Sequence, residues 1–306
     1  MLSMADETRA GSVCTAWQPE AIVDLLVGCG RIGLEGQSRS AWTLKQDGSL
    51  VTETDRAIEQ LLGERFDRPA EGSRLIGEET VASRDESYIA AALAGTAWLV
   101  DPIDGTAPFA HGLPSWGTSI GFARGGRIEH GAIVLPVSGE IFVTVGDEVW
   151  WAHGLDLRRP CGPVALEPLT PRHLPLSRGG MVALGQRFVR TRSLPWSNPA
   201  VVTGCAIQAL AWVLLGRVMG CIGHMKLWDV AGVLPMLERA GFVARLADGA
   251  PLTTDLADGA FLLEAGHPER WAQRDHVAFG PPEVVAALLS EVLGGFAPAA
   301  PGGSLP

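Results

Sequence analysis

The chain has 306 residues, 47% hydrophobic and 19% charged, with a formal net charge of −10. That length and apolar content exclude a disordered chain and build a sizeable core, as one large domain or two lobes sharing a sheet. The acidic balance excludes a phosphate-backbone binder, which needs a basic face, so nucleic acid is not an expected partner. Cys14, Cys29, Cys161, Cys205 and Cys221 show no CxxC spacing. That argues against a disulfide framework or a zinc site and points to a reducing cytoplasm. Met1 to Gly11 has no apolar signal core, and no run reaches the roughly 18 apolar residues of a membrane span, so no membrane partner is expected.

In chain order, residues 1–18 read as a loose leader. Residues 20–36 place Ile22, Leu25, Leu26, Cys29 and Ile32 at helical spacing. Residues 45–49, Lys-Gln-Asp-Gly-Ser, are a turn. Residues 52–65 have helix-start chemistry, with Thr52 as cap and Ile58, Leu61 and Leu62 on one face. Leu75-Ile76-Gly77 is a short strand leading to Glu78 and Glu79. Trp98-Leu99-Val100 is a buried strand, stopped at Pro102, which has no N–H for a ladder. Residues 117–122, 128–135, 140–145 and 148–151, parted by short turns, form an antiparallel meander.

Residues 158–175, rich in proline and arginine, connect two lobes. A strand at 181–184 follows, then a buried helix in the apolar run 206–220 and a strand at 219–222. A helix at 229–240 ends at Gly241, with Pro235 kinking it or sitting in its first turn. A strand at 260–264 and a helix at 282–293 close the fold before a frayed tail, 294–306. Helices and strands intermix, so the class is α/β or α+β.

Acidic residues fall beside structural breaks at separate places. Asp55 follows Val51-Thr52-Glu53-Thr54, Glu78 and Glu79 follow Ile76-Gly77, Asp101 and Asp104 flank Pro102-Ile103, and Asp229 follows Trp228. Singly, each has an ordinary role as a helix cap, a solvated loop residue or a turn former. Two carboxylates as close as Asp101 and Asp104 repel unless a proton or cation lies between them. Oxygen-only ligands favour a hard cation such as Mg²⁺.

Taken together, these pieces carry a resemblance. Val51-Thr52-x-x-Asp55, Ile76-Gly77-Glu78-Glu79, Trp98-x-Val100-Asp101-Pro102-Ile103-Asp104-Gly105-Thr106 and Trp228-Asp229-Val230-Ala231-Gly232 occur in this order, with Phe109-Ala110-His111-Gly112-Leu113-Pro114 between them. The chain resembles the inositol monophosphatase-like superfamily of metal-dependent, often lithium-sensitive phosphatases, over about residues 20–290. The resemblance implies an α/β, α+β-layered fold of the sugar-phosphatase type. Helices and sheets alternate in it, with a mixed or antiparallel meander and a second, smaller sheet. Residues 19–155 would form an α+β lobe with the metal site, and 156–293 an α/β lobe completing it.

The implied activity is Mg²⁺-dependent hydrolysis of a small phosphorylated alcohol, an inositol-phosphate-like sugar or polyol phosphate, by attack of an activated water. Glu78, Asp101 and the Ile103 carbonyl would hold one ion, and Asp101, Asp104 and Asp229 a second. Two or three Mg²⁺ ions are expected in all, with Mn²⁺ as a substitute. Thr106 would orient the water and Asp55 accept from its hydroxyl, with Glu78 or Glu79 sharing that work. Backbone N–H groups of Gly105 and Thr106 would cradle the phosphate. Lys45, in the turn before the Val-Thr-x-x-Asp piece, is either a charge-balancing neighbour of the metals or a solvated lysine.

Gly204-Cys205-Ala206 matches the pocket loop of relatives, with Cys205 as a packing residue rather than a nucleophile. Two positions depart from the pattern. Pro108 stands where relatives carry a polar residue, often asparagine. Ile222 stands where inositol-selective members carry a glutamate, and an isoleucine cannot accept from sugar hydroxyls. His224 and Lys226 are the polar candidates beside it. Residues 230–241 look somewhat like histidinol-phosphatase members. The alternatives are therefore histidinol phosphate, phosphoadenosine phosphate or fructose bisphosphate as substrate, or a non-catalytic homologue that keeps the metal site. The resemblance also implies a possible homodimer.

Overall fold

The structure, a computed structural model, describes residues 15–38, 41–45, 48–160 and 162–294. Most of the expected leader, the tail after Gly294, the centre of the 45–49 turn, Cys14 and Cys161 lie outside the described residues.

Helix α1 (Pro19–Gln37) precedes a hairpin of β1 (Trp42–Leu44) and β2 (Leu50–Thr52) and helix α2 (Glu53–Phe66). Strand β3 (Ser73–Gly77), helix α3 (Glu86–Ala94), strand β4 (Thr96–Asp104) and the short helix α4 (Thr106–Ala110) follow. The expected meander is β5 (Gly117–Arg124), β6 (Arg127–Leu135), β7 (Glu140–Val145) and β8 (Glu148–Ala152), extended by β9 (Glu167–Pro168) from the connecting segment. The second half runs β10 (Val182–Leu184), α5 (Gln186–Thr191), β11 (Ala200–Val201), α6 (Ala206–Leu214), β12 (Gly220–Gly223), α7 (Leu227–Ala231) and α8 (Leu234–Arg239). It ends with β13 (Val243–Leu246), β14 (Val277–Gly280) and α9 (Pro282–Ala287), which continues into a π-helical segment, Leu288–Leu293.

Strands β3 to β9 form a seven-stranded sheet in sequence order, parallel only between β3 and β4. A five-stranded mixed sheet has the order β11-β10-β12-β14-β13. Side chains alternate across a strand, so each sheet feeds two layers. In β4, Trp98 and Val100 pack with Ile22, Leu26, Ile58 and Leu62 of α1 and α2. Ala97 and Leu99 join the central layer with Leu210 of α6, Trp228 of α7 and Leu237 of α8. Beyond the five-stranded sheet, Val182, Ile222 and Ala278 pack on Phe188, Val284 and Leu288. The molecule is thus helix, sheet, helix, sheet, helix. Among the described residues no helix is long and apolar enough to cross a membrane.

Several expectations need correction. Pro102 does not stop its strand, because β4 continues to Asp104. The ladder steps from Asp101 opposite Ser119 to Asp104 opposite Gly117, so Pro102 lies in a bulge where no N–H is needed. Residues 229–240 are two helices rather than one. The chain breaks at Gly232 and Val233, and Pro235 sits in the first turn of α8. The apolar run from 206 is helical only to Leu214, since Gly216 turns with φ 63°. Residues 260–264 form no strand, only one bridge from Phe261 to Gln273. Helix 282–293 is α only to Ala287. Helix α3, β13 and β14 were not anticipated. The signal for α3 is Asp85, whose carboxylate caps Tyr88 N–H at 2.7 Å.

Candidate active site

Five elements converge on the site. The first is the start of α2. Thr52 and Asp55 form a capping box, and Asp55 Oδ2 accepts from Thr52 N–H at 2.9 Å. This fixes a buried carboxylate whose Oδ1 lies 3.3 Å from Thr106 Oγ1 at the start of α4. The Thr106 hydroxyl also lies 3.0 Å from the Ile103 carbonyl, so one proton is shared between two acceptors.

The end of β4 supplies Asp101 and Asp104, both buried. The turn after β3 supplies Glu78, whose N–H donates to Val100 O at 3.2 Å. Asp229 comes from α7 and accepts from Lys226 N–H at 2.9 Å. Carboxylate oxygens of Glu78, Asp101 and Asp229 lie within 4.8 Å of one another. Asp104 stands beside them with its Oδ2 turned to the start of α6, accepting Ile207 N–H at 2.6 Å and the Cys205 thiol at 3.3 Å.

So many buried anions are electrostatically unsatisfied. Burial, then Glu78, Asp104 and Asp229, push the Asp101 carboxyl well above the usual range. Burial and the charges of Asp104 and Glu78 push Asp229 up to about 8. Asp104 is pushed up to about 6 by burial, against the Ile207 and Ala206 N–H groups that favour its anion. Lys45 is no solvated turn residue, since its Nζ lies 3.0 Å from Glu78 Oε1 and 2.7 Å from Glu79 Oε1. Lys226 Nζ is 3.9 Å from Glu78 Oε1. Even beside Lys45, burial raises Glu79 to about 7. Asp101 Oδ1 is buried with no hydrogen-bond partner among the described residues. An orphaned carboxylate oxygen among oxygen-only donors fits a hard divalent cation.

The expected substrate side is only partly assembled. Gly204 lies against Pro108 and Gln186, since a Cβ there would meet Pro108 Cγ at 2.8 Å and Gln186 Nε2 at 2.9 Å. Cys205 is the buried N-cap residue of α6, and Ala206 opens that helix. Ile222 does not line the site. It is fully buried, and strand alternation turns it to the outer layer while Cys221 faces the central one. His224 sits 3.4 Å from Arg187 Nη1 and edge-on to His276, and burial lowers it to about 4, so it is neutral. Gln186 and Arg187 carried no recognisable sequence signal, because only the packing of β10 against β12 brings them here.

Comparison with known proteins agrees with this geometry. The model of the inositol monophosphatase family matches residues 15–278. Inositol monophosphatase 1 of Solanum lycopersicum is 29% identical over 197 residues, 63% of this chain and 71% of the relative. The extragenic suppressor protein SuhB of Bartonella henselae shares the fold with TM-score 0.64 at 20% identity, over 90% of this chain and 97% of that one. A structure of SaIMPase-II with inositol monophosphate bound gives TM-score 0.63 at 19% identity, over 89% and 93%. The chain belongs to the inositol monophosphatase family. It is accordingly a phosphatase, a phosphoric monoester hydrolase.

Proposed function

We propose that the chain hydrolyses a small phosphorylated alcohol using Mg²⁺ held by Glu78, Asp101 and Asp229, with Asp104 and the Ile103 carbonyl beside them. The observation that carries this reading is the convergence of those three carboxylates around an Asp101 oxygen with no hydrogen-bond partner among the described residues. When bound, divalent cations supply charge neutralisation of the phosphate and acidify a water.

The chain's own residues do the rest. Asp55, fixed by the capping box, would take a proton relayed through the Thr106 hydroxyl, which donates toward it at 3.3 Å and would accept from the attacking water. Gly105 and Thr106 open α4 and offer backbone N–H groups to phosphate oxygens. Asp104 ties the end of β4 to the start of α6, so the pocket loop moves with the metal-binding strand. The family membership and the inositol monophosphate in SaIMPase-II support a small-molecule phosphomonoester as substrate. The outward turn of Ile222 leaves that position without an acceptor for sugar hydroxyls.

The test is phosphate release from inositol 1-phosphate, histidinol phosphate, fructose bisphosphate, glycerol phosphate and phosphoadenosine phosphate, with Mg²⁺ and with EDTA. EDTA is expected to abolish turnover. Asp104→Asn is expected to lower kcat by about 100-fold or more, as loss of a charge-organising group does, with the fold retained. Turnover that persists in EDTA would overturn the metal assignment.

A further inference from the structure

We infer that Glu59, a residue outside the carboxylate cluster, is a positioning residue that holds Glu78 in place to receive the metal. Glu59 is 2% exposed, in the interior of α2. Its Oε2 accepts the backbone N–H of Glu79 at 2.9 Å. The preceding N–H, that of Glu78, is taken by Val100 O at 3.2 Å. The turn carrying Glu78 is therefore pinned at two successive amides, one to β4 and one to a buried side chain of α2.

The contact is close on its other side as well. A Cβ on Gly77 would collide with the Glu59 carboxyl carbon and both its oxygens, so any larger residue there would have to displace the Glu59 carboxylate. Burying a carboxylate without a compensating cation is costly. Among the described residues no ion pair to Glu59 is seen, and what favours its carboxylate is hydrogen bonding from the Thr80 side chain and the Glu79 and Thr80 backbone N–H groups. A leucine would fill this place at lower cost if packing were all that mattered. The acceptor is what the turn uses.

Spacing explains why this helix can do both jobs. Asp55 and Glu59 are four residues apart, on one face of α2 and one turn from each other. The first meets Thr106 and the second meets the Glu78–Glu79 turn. One rigid helix thus sets the distance between the proton-accepting side of the site and its metal-binding side. This inference rests on the metal reading above but not on turnover.

The experiment measures Mn²⁺ binding to the full chain without substrate, by the electron paramagnetic resonance signal of free Mn²⁺. It compares wild type, Glu59→Gln and Glu59→Leu, with melting temperatures taken in EDTA. Removing a group that supports a metal ligand costs about 10- to 100-fold in affinity. Glu59→Leu is therefore expected to weaken Mn²⁺ binding by about 10-fold or more while melting no lower than wild type. Glu59→Gln keeps an acceptor oxygen for Glu79 N–H and is expected to bind nearly as wild type. Should Glu59→Leu fail to fold, Glu59→Met asks the same question. Unchanged Mn²⁺ affinity in the apolar variant overturns the inference, and so does a glutamine variant as weak as the leucine one. A wild type that binds no Mn²⁺ overturns the metal reading and this inference together. A wild type that binds Mn²⁺ but releases no phosphate overturns the proposed function alone.

Discussion

In the proposed mechanism the Thr106 hydroxyl carries chemistry without carrying much of the stability. It lies between the Ile103 carbonyl and Asp55 Oδ1 and is only partly buried. Valine matches its shape and removes the hydroxyl through which the proposed proton path runs. Thr106→Val should lower kcat by about 100-fold or more, the usual worth of a positioned proton acceptor, with Mn²⁺ affinity and melting temperature near wild type. Steady-state kinetics with a melting curve check this, and an unchanged kcat would remove Thr106 and Asp55 from the proton path. Lys45 is the opposite case. It sits on an exposed hairpin, yet its ammonium is bound by two carboxylates, and their charges hold its pKa above the ordinary lysine value despite burial.

Element packing places Asp229. Helix α7 lies directly on the seven-stranded sheet, with Ser119 Oγ donating to Trp228 O at 2.9 Å and accepting from Gly232 N–H at 3.2 Å. The backbone can approach this closely because β5 and β6 carry glycines beneath it. A Cβ on Gly121 would lie 2.6 Å from Ala231 Cβ, and one on Gly131 would strike the Gly232 carbonyl. Gly131→Ala should therefore lift α7 and Asp229 with it. The expected result is a loss of about 1–3 kcal/mol, as for other overpacked sites, together with weaker Mn²⁺ binding. Urea unfolding and the Mn²⁺ titration measure the two effects, and full stability with full affinity would contradict the close seating.

At the scale of the whole molecule, the clustered acids tie stability to pH and to metal. Asp104, Glu79 and Asp229 have carboxyls raised to about 6, 7 and 8, from ordinary values of 3.8, 4.5 and 3.8. Between these ordinary and raised values, the metal-free folded chain holds protons that the unfolded chain has released. Stability then falls as pH rises through that window. The melting temperature in EDTA should drop between pH 5 and pH 8, less steeply in Asp229→Asn, whose amide does not titrate. Mg²⁺ should raise it more at pH 8, where the carboxylates need a counter-charge, than at pH 5. An equal slope in wild type and variant would show that Asp229 is not among the strained acids.

Local chemistry made much of this legible in the sequence. The Thr52–Asp55 capping box, the alternating meander and the Asp101-Pro102-Ile103-Asp104 run all depend on residues a few positions apart. Periodicity, capping and turn rules act at that range. The acidic pieces could be gathered into one site because each stands beside a break in regular structure. Contacts between distant segments decided the rest. Pro102 stays in its strand because the ladder with β5 shifts register there, and Ile222 is buried because β12 is flanked on both sides and covered by the outer layer, which strand alternation turns it toward. Lys45 reaches Glu78, and Glu59 reaches the Glu79 amide, only because the hairpin and α2 fold across the end of β3. The order of motifs and the donor chemistry belong to the sequence alone. Which oxygens meet, and which buried group holds them there, is settled by long-range packing, since no local pattern encodes a contact whose partner lies on another layer.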